Sequence, residues 1–110
     1  MALPKAVQGE KGRVITITAY KNRVTLEVQA LTGATMTGKI ETLPGPTYTV
    51  RAISGTLALL DAANGTFTWT WDATDTGTAG KYTIQFIATI GSTVIYKSYP
   101  APWEVVRSPA

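Results

Sequence analysis

Apolar and polar side chains alternate along most of this chain with a period of two. Residues 66–71 read Thr-Phe-Thr-Trp-Thr-Trp, which sets Phe67, Trp69 and Trp71 on one face and three threonines on the other. Successive side chains of a strand point to opposite sides of its sheet, so strict alternation describes a strand with one buried face. Tyr82, Ile84, Phe86, Ala88 and Ile90 repeat the pattern against Thr83, Gln85, Ile87 and Thr89. Ile15, Ile17 and Ala19 alternate with Thr16 and Thr18, and Val24, Leu26 and Val28 with Thr25, Glu27 and Gln29. Met36, Gly38 and Ile40 face away from Thr35, Thr37 and Lys39. Segments 48–53, 56–60, 92–97 and 103–106 complete the strand candidates, while helical periodicity is hard to find.

Turn signals separate these runs at short spacing: Lys21-Asn22, Thr32-Gly33, Pro44-Gly45-Pro46, Ser54-Gly55, Asn64-Gly65, residues 72–80 and Gly91-Ser92. Glycine and asparagine supply positive φ there, and proline fixes φ at the bend. Threonine is the most frequent residue, at nineteen copies, and its β-branched, weakly polar side chain suits the wet face of a sheet. Short strands at this spacing predict an all-β domain of two sheets, a sandwich or barrel. The ordered domain is expected to span residues 13–106. Residues 1–12 read as an extended basic N-terminal arm and 107–110 as a C-terminal tail. Prolines at 4, 100, 102 and 109 are expected to keep their segments out of central pairing.

The chain has 110 residues, one domain's length, and hydrophobic residues make up 45% of it against 15% charged, which is too apolar for a disordered tail. A domain of this size buries roughly two-thirds of its unfolded surface without staples. It contains no cysteine and no histidine. That excludes disulfides, thiolate metal sites and Cys nucleophiles, and removes the usual general base and the commonest metal ligand. The N-terminus lacks the apolar core of a signal peptide, and no run approaches the roughly eighteen apolar residues of a spanning helix. The reading is therefore a soluble chain made in the cytoplasm, with no membrane partner. Asn64-Gly65-Thr66 matches a glycosylation acceptor, which is incidental without secretion.

The net charge of +3 is uneven. Lys5, Lys11, Arg13, Lys21 and Arg23 face only Glu10 in the first 23 residues. A basic leading segment suits an anionic protein surface, yet it falls short of a nucleic-acid-binding run, and scattered Lys and Arg more often guard a sheet edge. No nucleic-acid partner is expected. Asp61, Asp72 and Asp75 lie close in sequence, but they lack the alternating spacing of a calcium loop, and turn chemistry explains them better. A carboxylate pair for acid–base catalysis has no further support, so no enzyme, metal or cofactor is expected. Phe67, Trp69 and Trp71 could stack sugars if exposed, but a period-two apolar face normally forms core. Trp103 stands alone after Pro100-Ala101-Pro102 and admits two readings: it seals the end of the core, or it is an exposed contact residue. Lys5, Lys11, Arg13 and Trp103 are the candidate interface residues.

Residues 75–82, Asp-Thr-Gly-Thr-Ala-Gly-Lys-Tyr, place Asp75 and Gly80 ahead of Tyr82 at the head of a strand. This matches the tyrosine corner of immunoglobulin-like sandwiches, in which the hydroxyl bonds backbone a few residues upstream. The motif speaks to fold alone.

Three stretches in order carry a wider resemblance: Leu31-Thr-Gly-Ala-Thr-Met-Thr-Gly-Lys39, Asp61-Ala-Ala-Asn-Gly-Thr-Phe-Thr-Trp69 and Thr78-Ala-Gly-Lys-Tyr-Thr-Ile-Gln-Phe86. With a Gly91 turn and a final strand, residues 14–106 resemble the immunoglobulin-like N-terminal domain of phage baseplate upper proteins. The resemblance implies a single immunoglobulin-like antiparallel β-sandwich with a structural role in the virion, assembled in the host cytoplasm. In that family the domain anchors a longer chain that continues into a helical stalk, and this chain departs from the pattern by ending at Ala110. The implied partners are other virion proteins of the tail, baseplate or capsid, met in multimeric array through sheet edges and arms. Decoration of the phage head is the alternative within virions, and a carbohydrate-binding module the alternative outside them. The family supplies no catalytic residue.

Overall fold

The computed structural model describes residues 3–22, 27–43, 50–98 and 100–108. Among them the alternating segments form eleven strands, one 3₁₀ turn at Ala62–Asn64 and no α-helix. The strands are β1 (Ala6–Val7), β2 (Val14–Thr18), β3 (Tyr20–Asn22), β4 (Glu27–Val28), β5 (Thr35–Leu43) and β6 (Val50–Ala52). They continue with β7 (Thr56–Asp61), β8 (Thr66–Thr70), β9 (Gly80–Ile90), β10 (Thr93–Lys97) and β11 (Ala101–Val106). The predicted strands at 24–29 and 48–53 fall partly outside the described residues.

Two sheets face each other. One runs β1-β11-β9-β5-β6, with β10 also paired to β9, and the other runs β2-β8-β7, while β3 and β4 form a separate hairpin. β9 is the spine of the first sheet. Its first half pairs antiparallel with β11 and its second half with β10, and β5 lies along its other side from Thr35 opposite Thr89 to Leu43 opposite Lys81. Crossovers between β2, β8 and β7 on one side and β5, β9 and β11 on the other give a two-sheet β-sandwich.

The core lies where the apolar faces meet. Phe67 and Trp69 of β8 and Ile84, Phe86 and Ala88 of β9 are fully buried, with Ile17, Met36 and Ile40 packed beside them. The rings meet edge-on rather than stacked. Phe67 and Phe86 have centroids 5.2 Å apart, and Trp69 lies 5.0 Å from Trp103. Such contacts add to the burial of large rings, which dominates a core of this kind. Between β10 and β11 the ladder breaks, and buried Ser98 mends it. Its N–H donates to the Phe86 carbonyl at 2.9 Å, and its hydroxyl accepts from the Phe86 N–H at 2.8 Å.

The N-terminal segment departs from the expected arm. β1 pairs in parallel with β11, Ala6 beside Val105 and Val7 beside Val106, and Ala6 is fully buried. The Gln8 N–H then donates to Val106, the Gly9 N–H to Thr76 and the Gly12 N–H to Trp71. Leu3 packs against the core, and the Trp103 indole donates to the Pro4 carbonyl at 3.1 Å. The physical reason is that β11 would otherwise be a bare edge. A short apolar segment satisfies part of its ladder and shields the aromatic cluster. Pro102 also lies inside β11, opposite Thr83, against the expectation for the prolines. It is tolerated because β1 covers β11 only at Val105 and Val106, so the missing N–H of Pro102 faces no partner strand.

Candidate functional site

The two outer faces of the sandwich differ in kind. Along β2, β8 and β7 the outward positions fall in rows set by the register: Val14, Thr70 and Thr56, then Thr16, Thr68 and Ala58. Thr18 and Thr66 continue the array, and a register shift between Leu59 and Asp61 leaves Leu60 exposed beside them. Six of these side chains are threonines, and the one charge in the array is the exposed Asp61 at its end, which the register sets opposite Thr66. The pleat explains this composition, because the residues between them, Ile15, Ile17, Phe67, Trp69, Leu57 and Leu59, all point to the core. The opposite outer face carries charges of both signs. Lys81 of β9 lies opposite Glu104 of β11, Glu41 and Lys39 stand on β5, and Lys97 ends β10.

The candidate interface residues scatter. Lys5 forms an exposed ion pair with Glu104 at 3.2 Å. Arg13 lies over the Trp71 ring, 5.2 Å from its centroid, and reaches Glu10 at 3.9 Å. Lys11 is exposed, whereas nothing is described of the Lys21 side chain or of Arg23. Trp103 is corrected from interface to core. It is 3% exposed and touches Trp69, Trp71 and Tyr82, because Ala101, Trp103 and Val105 form the buried face of β11. Phe67, Trp69 and Trp71 are buried as well, so this aromatic row offers no stacking surface for a sugar.

The aspartates serve turns. Asp72 accepts from the Thr74 N–H at 2.7 Å, and Asp61 accepts from the Asn64 amide at 2.9 Å. Among the described residues no three acidic side chains gather as metal ligands. Asp75 does more. Its carboxylate is buried and accepts from Arg51 Nη1 at 2.7 Å, the Ser54 N–H at 3.0 Å and the Gly55 N–H at 2.8 Å. It therefore ties the loop before β9 to the 54–55 turn and to β6, the edge strand of the same sheet. Gly55 is required here, because a β-carbon would run into the Thr70 carbonyl and come within 2.8 Å of Trp69 Nε1. Four residues before β9's first tyrosine, the Thr78 carbonyl accepts from the Tyr82 hydroxyl at 2.6 Å. Gly80 precedes that ring with φ of 156°, a backbone that residues with a β-carbon rarely adopt. The Tyr82 hydroxyl goes to Thr78 and not to Asp75, whose side-chain partner is Arg51, a residue that nothing in the local sequence marks. A shallow groove of about 350 Å³ opens beside this network, lined by Thr42, Arg51, Thr74, Thr78, Lys81 and Tyr82.

The polar groups with the most defined geometry thus hold the fold, and the feature left for contact is a threonine-rich face whose centre carries no charge. No protein-family model matches the chain, and no curated protein matches it.

Proposed function

We propose that this chain is a non-enzymatic structural module of a bacteriophage particle, an immunoglobulin-like sandwich that makes protein–protein contacts in the tail or baseplate. The observation that carries the reading is the difference between its two outer faces, one charged on both signs and one whose centre is uncharged, with Asp61 alone at its end. The centres of protein contacts are depleted of charge, since each buried charge must be desolvated. Threonine adds a methyl group for packing and a hydroxyl that can still find a partner. The resemblance of residues 31–39, 61–69 and 78–86 to the baseplate upper proteins supplies the setting. In a particle, one modest contact repeats in every copy, so a face that binds weakly alone holds firmly in the array.

Immunogold electron microscopy of particles from the source organism, with antibody against this chain, tests the assignment. Label at the tail tip is the expected result. Label spread over the head makes the chain a decoration protein, and absence of label from every particle overturns the virion reading.

A further inference from the structure

The threonine-rich sheet ends in a strand whose outer edge pairs with no other strand among the described residues. β7 pairs with β8 on one side only. An unpaired edge presents a row of N–H and C=O groups that only another strand can satisfy together, and proteins normally blunt such edges with Lys, Pro or inward charge. From Thr56 to Leu60 this edge has none of these, the first charge being Asp61. Two other edge strands carry charge, and β2 has it only just ahead of its first residue. β6 carries Arg51, β10 ends in Lys97, and Lys11 and Arg13 stand at the head of β2.

We infer that β7 pairs antiparallel with β7 of a second copy of this chain, about a two-fold axis through Ala58. The sequence around that residue is symmetric, Leu57-Ala58-Leu59 reading the same in both directions. An isologous contact brings each residue opposite its mirror position, so a strand meets its own copy without conflict only if that pattern is self-complementary. With Ala58 on the axis, Leu57 lies opposite the second copy's Leu59 on the inner face, and Thr56 lies opposite Leu60 on the outer. No like charges meet. Leu57 and Leu59 are only partly buried in the single chain, and Leu60 is 64% exposed, so the pairing removes apolar surface from water. β2 is also uncharged over its length, but its Ile17 is already 4% exposed and has little burial left to gain. Pairing through β7 joins two three-stranded sheets into one of six and doubles the threonine face. The inference concerns the purified chain and holds whichever particle the chain belongs to.

Single-cysteine variants test it cleanly, because the chain has no cysteine of its own. Directly opposed residues of an antiparallel pair have Cα atoms about 4.5–5.5 Å apart, within the reach of a disulfide. Under mild oxidation Ala58→Cys is expected to form a covalent dimer in high yield, with Thr16→Cys on β2 remaining monomeric. Sedimentation of the unaltered chain is expected to show a concentration-dependent dimer that Ala58→Lys abolishes, with the circular dichroism spectrum of the variant unchanged and its thermal midpoint equal to that of the unaltered chain at concentrations where both are monomeric. A chain that stays monomeric at millimolar concentration overturns the inference. So does a dimer that survives Ala58→Lys, or one cross-linked through Thr16→Cys and not Ala58→Cys.

Discussion

Replacing Asp75 by alanine removes the one buried carboxylate that joins three parts of the sandwich. The side chain has no exposed surface, and three donors converge on it: Arg51 and the N–H groups of Ser54 and Gly55. Each backbone bond to a charged acceptor is worth about 1.5–3 kcal/mol. The Arg51 side chain is 40% exposed, so water screens the ion pair and can solvate the guanidinium once its partner is gone. That component is worth about 1 kcal/mol or less. Some relaxation of the 54–55 turn toward water recovers part of the loss. The expected cost of Asp75→Ala is therefore about 3–5 kcal/mol, a large share of the roughly 5–15 kcal/mol that stabilises an ordinary domain. Asp75→Asn keeps one oxygen for a backbone donor but turns an amide N–H₂ toward the others, and falls between. Arg51→Met leaves both backbone bonds in place and is expected to cost less, about 1–2 kcal/mol. Urea unfolding of the four proteins, with a common m-value, measures the series. A cost below about 1 kcal/mol for Asp75→Ala, or a larger cost for Arg51→Met than for Asp75→Ala, refutes the reasoning.

Tyr82→Phe removes the bond to the Thr78 carbonyl and is expected to lower stability by about 1–2 kcal/mol in the same urea assay. Gly55→Ala drives a β-carbon into the Thr70 carbonyl, and the expected loss is about 2–3 kcal/mol, read as a fall in thermal midpoint. Deleting residues 2–12 removes β1 and the Gly9 and Gly12 backbone bonds, and bares the Trp103 indole. The shortened chain is expected to melt at least about 10 °C lower or to fail to fold. An unchanged midpoint would show that the segment is an arm after all.

The parts of the fold legible in the sequence are those written in alternation. Phe67 and Trp69, and the run from Tyr82 to Ala88, declare their buried faces residue by residue, and the structure buries the same side chains. Asn64-Gly65 marks the bend before β8 because Gly65 sits at φ of 70°. β1 was illegible for a physical reason: two residues cannot display a period, and their partner Val105 lies at the other end of the chain. Trp103 carries a signal, since Ala101, Trp103 and Val105 alternate with Pro102, Glu104 and Val106; a strand is expected from 103, and the prolines at 100 and 102 hide its start at Ala101 and so leave the buried face ambiguous. The tie between Arg51 and Asp75 spans 24 positions and follows no local pattern, so only folding brings it together. The face with the uncharged centre was present in the sequence as threonines. Its unity became visible only when the register set β2, β8 and β7 side by side.

The most direct test of the central claim is to place one charge in the middle of that face and follow incorporation into particles. Thr68 sits at the centre of the array, between Thr16 and Ala58, and its side chain points away from the core. Thr68→Lys is expected to fold with a thermal midpoint within about 2 °C of the unaltered chain, as surface substitutions do. Supplied in competition with the unaltered chain during assembly, it is expected to be depleted from purified virions at least about tenfold, the effect of some 1.4 kcal/mol lost per contact. Equal recovery of the two forms in virions would contradict the account, because a buried contact face could not accept the lysine without cost.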